Sequence, residues 1–155
     1  MPSFRNERRV RHRSDQMFDL VADIERYPEF VPLCTGTRVR NRRLDGQGRE
    51  ALISEMSVGY KMIRETFTTR VLLDKSRLRI LVEYIDGPFS HLENIWTFRD
   101  EPGPGGSVVT FFIDYEFRSR TLGTLMGSMF HAAFRKFSQA FEERADQLYP
   151  EARQA

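Results

Sequence analysis

The sequence predicts an α+β chain, an antiparallel sheet of about seven strands met by one long C-terminal helix. Three observations predict it. From Thr35 to Phe117 apolar residues alternate with polar ones, the period of a half-buried strand. Short turn signals separate the runs: Asp45-Gly46-Gln47-Gly48, Asp74-Lys75-Ser76, Asp86-Gly87-Pro88 and Glu101 to Gly106. Turns this short join antiparallel neighbours. After Phe117 the apolar spacing changes to a helical one and holds to about Leu148.

Taken in order, residues 4–12 alternate loosely and read as a first strand. Ser14 is the expected N-cap of a short helix, with Asp15 well placed for its dipole. Met17, Phe18, Val21 and Ile24 follow helical spacing. The connector Tyr27-Pro28-Glu29-Phe30-Val31-Pro32-Leu33-Cys34 comes next. Its prolines push Tyr27 and Val31 away from the α region, so no continuous regular helix is expected there. Its apolar residues suit the mouth of a cavity or an ordinary packed corner.

In the strand region Phe67, Thr69, Val71 and Leu73 share a face, as do Leu78, Ile80, Val82 and Tyr84. Leu92, Asn94, Trp96 and Phe98 form a third run. Val109, Phe111, Ile113, Tyr115 and Phe117 form a fourth. The final helix is expected over about Leu122 to Leu148, with Pro150 stopping it. Met126, Met129, Phe130, Ala133, Phe134, Phe137, Phe141 and Leu148 make its apolar stripe. Such a helix is roughly 40 Å long, and about seven strands span roughly 30 Å. One helix therefore crosses the sheet, and it alone is long enough to cover it. A helix about 10 Å wide does not fill a concave face. Either large side chains fill the gap or a cavity remains. Gly123 and Gly127 on this helix read as close approach to the sheet or as space left beside it. Met126 and Met129 suit a long apolar ligand or a plugged core equally well.

Composition bounds the class. With 155 residues, 40% hydrophobic and 30% charged, residues 1–155 are expected to form one globular domain. No apolar run approaches the roughly 20 residues of a membrane span. There is no apolar leader, and a strand starting by about Phe4 leaves no room for a removable presequence. One cysteine, Cys34, excludes an internal disulfide and a multi-cysteine metal site. A cytoplasmic setting is the expectation. Net charge is only +2, yet arginines cluster. Arg5, Arg8, Arg9, Arg11 and Arg13 crowd the first strand, and Arg38, Arg40, Arg42, Arg43 and Arg49 the second. These clusters suit an anionic partner, membrane headgroups or nucleic acid, or else guard solvated sheet edges.

Catalysis has little support. His12, His91 and His131 show no metal-ligand spacing. Cys34 has no CxxC partner, and no base near it is visible. The run from Gly103 to Gly106 is interrupted by proline and reads as a hairpin loop. Asp114 and Glu116 read as solvent-facing.

The segment Met17 to Cys34 (MFDLVADIERYPEFVPLC) closely resembles the signature of the coenzyme-Q-binding START-like family, also called the polyketide cyclase or ribosome-association-toxin type. Further blocks keep that family's order: Glu65 to Val71, Gly87-Pro88-Phe89 with Leu92 and Trp96-Thr97-Phe98, Tyr115-Glu116-Phe117, and Ala140 to Ala145. The resemblance covers nearly the whole chain. Asn94 departs from the small residue, often glycine, expected before the tryptophan, and Tyr60-Lys61 is less apolar than the pattern.

The resemblance implies a helix-grip fold, with two short helices between the first and second strands. It implies an elongated apolar tunnel holding ubiquinone or a related polyprenyl lipid, in support of respiration and without catalysis. The residues expected around such a ligand are Tyr27, Pro28, Phe30, Val31, Pro32, Phe67, Phe89, Trp96, Tyr115, Met126, Phe130 and Phe134. Tyr27, Tyr115 or Arg70 are the candidate headgroup donors, and the connector, with Phe89 beside it, is the expected gate. Arg5, Arg8, Arg9, Arg11, Arg38, Arg40 and Arg42 form the expected patch for an anionic membrane or respiratory complex, with peripheral attachment at the inner membrane. No further cofactor or metal is expected. Some bacterial members are described as binding the large ribosomal subunit, and others as small-molecule cyclases, so both functions stay open.

Overall fold

The structure is a computed structural model that describes residues 3–103 and 106–150. Pro104 and Gly105 of the expected hairpin loop, and both chain ends, lie outside the described residues. The strands are β1 (Ser3–Val10), β2 (Cys34–Leu44), β3 (Glu50–Tyr60), β4 (Ile63–Asp74), β5 (Arg79–Asp86), β6 (Phe89–Asp100) and β7 (Ser107–Phe117). The helices are α1 (Ser14–Ala22) and α2 (Arg120–Leu148). All strands form one seven-stranded antiparallel sheet in the order β1-β7-β6-β5-β4-β3-β2. Six strands are a meander joined by short turns, and β1 adds to its far edge. No helix among the described residues is long and apolar enough to cross a membrane.

Ser14 is the first helical residue of α1, not its cap. Arg13 takes the cap position, and its N–H donates to the Gln16 side chain at 3.0 Å. The Ser14 N–H is held instead by Asp100 Oδ1 at 3.0 Å, a partner distant in sequence. The connector is more helical than its prolines suggest. A six-residue 3₁₀ turn, Ile24–Glu29, includes Tyr27 and Pro28. A 3₁₀ helix suits the fixed φ of proline, and two short turns lose little when one donor is missing. The Tyr27 carbonyl then accepts from Phe30 N and Val31 N, at 3.1 and 2.8 Å. Leu78 does not open a strand as expected. It sits at φ 52° after the turn Lys75–Arg77, whose start is capped by Asp74, and β5 begins at Arg79.

α2 starts two residues earlier than expected, because Ser119 caps it by accepting from Leu122 N at 3.2 Å. Met126, Phe130, Ala133, Phe134 and Phe141 are buried, but Leu148 is half exposed, and Ala145 takes the inward place in that turn. Neither helical glycine is held against a wall. A Cβ on Gly123 would meet Phe117 at an ordinary 3.7 Å, and one on Gly127 would meet nothing within 4 Å.

β1 is tied to α2 by polar side chains on its inner face. Asn6 Nδ2 donates to Ser138 Oγ at 2.8 Å, and Arg8 Nε donates to Glu142 Oε1 at 2.7 Å. Just past the strand, His12 Nε2 and Asp146 Oδ1 are 2.7 Å apart. Arg8 therefore faces the helix and does not belong to an outer patch. The two arginine clusters lie on opposite edges of the sheet, since β1 and β2 end the strand order. Much of their charge is met locally: Arg9 by Glu101, Arg40 by Glu55, Arg42 by Glu50 and Glu25, Arg49 by Asp45. Arg5, Arg11, Arg38 and Arg43 are exposed and have no carboxylate partner among the described residues.

Candidate functional site

Between the inner face of the sheet and α2 lies a cavity of about 100 Å³. Its floor is built by the strand pleat, which sends every second side chain inward. Ser54, Met56 and Val58 come from β3, Phe67, Thr69 and Val71 from β4, and Ile80 and Val82 from β5. Phe89, Leu92, Asn94 and Trp96 come from β6, and Phe111 and Ile113 from β7. The roof is Phe130, Ala133, Phe134, Phe137 and Phe141 of α2, at helical spacing. Val21 of α1 and Ile24, Tyr27, Val31, Pro32 and Leu33 of the connector close one end. Pro32 and Leu33 are only partly buried, as are Met56, Phe67, Val82 and Phe137 elsewhere in the wall.

The void takes about one ring. Apolar cavities of roughly 150 Å³ stay dry and accept benzene. This is shorter than the elongated tunnel expected from the resemblance. Aromatic packing consumes the remaining length. Phe89 stacks on Phe117 at 4.8 Å and lies 6.0 Å from Phe130. Trp96 lies 4.7 Å from Phe111 and 5.1 Å from Phe141.

Of the residues expected around a ligand, Tyr27, Val31, Pro32, Phe67, Phe89, Trp96, Phe130 and Phe134 line the cavity. Four do not. Pro28 is exposed. Phe30 turns to Tyr27 and Phe141, with the Arg144 guanidinium 5.1 Å over its ring. Tyr115 faces inward but is walled off by Phe89, Phe130 and Phe134. Met126 is buried outside the wall. Phe89 packs among Phe67, Tyr84, Tyr115, Phe117 and Phe130, not beside the connector as expected for a gate.

Of the expected headgroup donors, Arg70 lies on the outer face and pairs with Glu83 at 3.3 Å. The Tyr27 hydroxyl is spent on the Val21 carbonyl, and burial raises its pKa well above the ordinary tyrosine value. Burial also raises Tyr115 and the Cys34 thiol.

Tyr27 is the one ionisable side chain in the wall apart from any beyond the described residues. The other polar members are Ser54, Thr69 and Asn94, which the sequence reading did not place there as binding groups. Their signal was legible: each is a polar residue at an inward position of a strand. The histidines are elsewhere. His91 pairs with Asp114 on the outer face at 3.1 Å, and His131 is exposed with its ring edge-on to Phe4. Among the described residues, no group of three or more His, Cys, Asp or Glu could hold a metal ion. The wall thus offers apolar contact, a few neutral hydrogen-bonding groups and almost no acid–base capacity.

A curved antiparallel sheet gripping a long terminal helix over an apolar void defines the START-like class of fold. The chain belongs to the family described as polyketide cyclase / dehydrase and lipid transport, whose pattern matches residues 10–142. It is 32% identical over 151 residues to the ribosome association toxin RatA of Rickettsia prowazekii, spanning 96% of this chain and 99% of that one. It is 28% identical over 136 residues to the mitochondrial coenzyme Q-binding protein COQ10 of Dictyostelium discoideum, spanning 87% of this chain and 64% of that one. Among solved structures it resembles an 18 kDa protein of Caulobacter crescentus, at 36% identity and a TM-score of 0.79, with 97% of this chain and 99% of that chain covered.

Proposed function

We propose that this chain binds ubiquinone or a related polyprenyl quinone in the cavity under α2 and sequesters or delivers it in support of respiratory electron transport, without catalysing a reaction. The observation that carries the reading is the wall itself: aromatic and aliphatic almost throughout, with Tyr27 as its one ionisable member among the described residues. A cyclase would need titratable side chains converging on its substrate, and the wall has nearly none.

Magnitudes define the pose. A buried aromatic ring removes about 150–250 Å² from water, worth about 4–6 kcal/mol at 25 cal/mol per Å². Association costs at least about 4 kcal/mol. A ring alone therefore binds weakly, and micromolar affinity, about −8 kcal/mol, requires the prenyl tail to bury more surface. In this reading the ring fills the void and the tail leaves past Pro32 and Leu33, two partly buried residues of the connector. The exposed guanidiniums of Arg38 and Arg43, on the edge strand that follows the connector, would hold the protein against an anionic bilayer while the lipid exchanges.

The test is extraction of the purified protein into organic solvent followed by mass spectrometry, with titration of added quinone. A co-purifying quinone at near-stoichiometric level is the expected result. No quinone in repeated preparations, together with no binding of added quinone, would end the proposal.

A second reading has its own observation, the 32% identity to a ribosome association toxin along 96% of this chain. It assigns the free arginines to ribosomal RNA. Co-sedimentation with ribosomes that falls steeply with salt would favour it.

A further inference from the structure

Three polar side chains interrupt the apolar wall. Ser54, Thr69 and Asn94 line the cavity and are 2%, 4% and 9% exposed. Ser54 and Thr69 face each other across β3 and β4 as direct register partners. Asn94 sits on β6, two strands from Thr69; its partner Val82 pairs in turn with Val71. The hydroxyl pair and the amide are thus separated by about 10 Å of sheet, with the ring-sized void between them. Asn94 Nδ2 donates one hydrogen bond, to the Phe112 carbonyl at 2.8 Å. Among the described residues its second N–H and its Oδ1 have no partner, and neither do the Ser54 and Thr69 hydroxyls; these atoms stay open to the void, whereas the fully sealed unpartnered side-chain atoms are His12 Nδ1 and Arg144 Nε, away from it.

Folding alone does not explain these residues. A buried polar group without a hydrogen bond is costly, and an apolar side chain of the same shape is not. Alanine, valine and leucine would complete the wall at these positions without that cost. The groups make sense if something in the void completes their hydrogen bonds.

We propose that Ser54, Thr69 and Asn94 form a subsite for the oxygen atoms of a ring-bearing ligand of the quinone class, with Ser54 and Thr69 at one edge of the ring and Asn94 at the opposite edge. The inference rests on the lipid-binding reading above and goes beyond it by assigning the headgroup contacts to neutral side chains of the sheet. Hydroxyls and a primary amide both donate and accept. They donate to the two carbonyl oxygens of a quinone, and they accept from the two hydroxyls of its reduced form. The subsite therefore holds both redox forms with the same three side chains, the hydroxyls through one oxygen each and Asn94 by donating through Nδ2 or accepting through Oδ1, and no charge in the wall favours one over the other.

The test uses the full chain, its Ser54→Ala, Thr69→Val and Asn94→Leu variants, and the triple variant. The probes are a decyl-substituted benzoquinone and decylbenzene, which has the same tail and a ring without oxygens. Trp96, the only tryptophan of the chain, lies in the wall, so its quenching reports the quinone directly. Competition against that quenching reports decylbenzene. Each single substitution is expected to weaken the quinone about two- to tenfold, the range of one hydrogen bond. Decylbenzene affinity should hold or rise, which also certifies that the variant is folded; should the triple variant fail that check, the single variants decide. Quinone affinity within twofold of wild type in every folded variant, with wild type binding both probes, overturns the subsite and leaves the lipid-binding reading standing. A wild type that binds neither probe removes both.

Discussion

Filling the cavity separates stability from function in one substitution. Ala133 sits in the roof, 7% exposed, with its methyl group on the void. Ala133→Leu extends carbon into that space. A cavity costs about 24 cal/mol per Å³. Removing the 100 Å³ void would recover at most about 2.4 kcal/mol. Ordering a leucine costs about 0.5–1 kcal/mol, which leaves about 1–2 kcal/mol of net stabilisation. For a chain of 155 residues this raises Tm by about 2–8 °C. The same leucine occupies the place assigned to the quinone ring, so binding should weaken at least tenfold. Differential scanning calorimetry and Trp96 quenching read the two effects on one sample. A stabilised variant that still binds quinone normally would place the ligand outside this cavity. A variant that melts lower would show that the void is closed to position 133, and the volume argument would fail.

Three further outcomes are expected. Phe141 is 1% exposed and touches Tyr27, Phe30 and Trp96 at centroid distances of 5.4, 5.1 and 5.1 Å, so Phe141→Ala should cost about 3–5 kcal/mol in urea denaturation. Gly87 has φ +143°, and a Cβ there would stand 2.6 Å from Phe67 Cβ; Gly87→Ala should cost about 1–3 kcal/mol, push Phe67 toward the void and reduce quinone quenching. The Glu29 carboxyl is held below its ordinary value near 4.5, first by its hydrogen bond from Arg26 and then by that from Arg144. Its folded-state pKa is depressed, so its contribution is present above that ordinary value and is lost as pH falls. Urea midpoints of wild type and Glu29→Gln should therefore differ at neutral pH and converge as pH falls below the ordinary glutamate value.

The regular parts of the fold were legible because they obey short periods. Alternation of two assigned Phe67, Thr69 and Val71 to the inner face, and helical spacing assigned Phe130 and Phe134 to the roof. Turn signals gave the meander its direction. What a period cannot give is the level along a strand. Tyr115 does face inward, but at a height where Phe89 and Phe130 already fill the space. The length of the void depends on how those rings interlock, and that is a property of many residues distant in sequence. Ser14 departs from its expected cap role for a similar reason, since Asp100, 86 residues away, captures its N–H. The polar wall residues were visible as exceptions to the alternation, and Asn94 stood out against the family pattern. Arg8 reads as surface charge from sequence because nothing local announces Glu142.

The bonds from Asn6 to Ser138 and from Arg8 to Glu142 match two unlike spacings. Two residues of extended chain advance about 6.6 Å, and four residues of helix advance about 6 Å. The near-coincidence lets both bonds form at one axial setting of α2, and His12 with Asp146 reinforces it. Sliding the helix by a turn would break every one of these bonds together. The edge strand therefore acts as a gauge block: it fixes how far the rod is pushed along the sheet, and so the dimensions of the chamber, from outside the chamber's own walls.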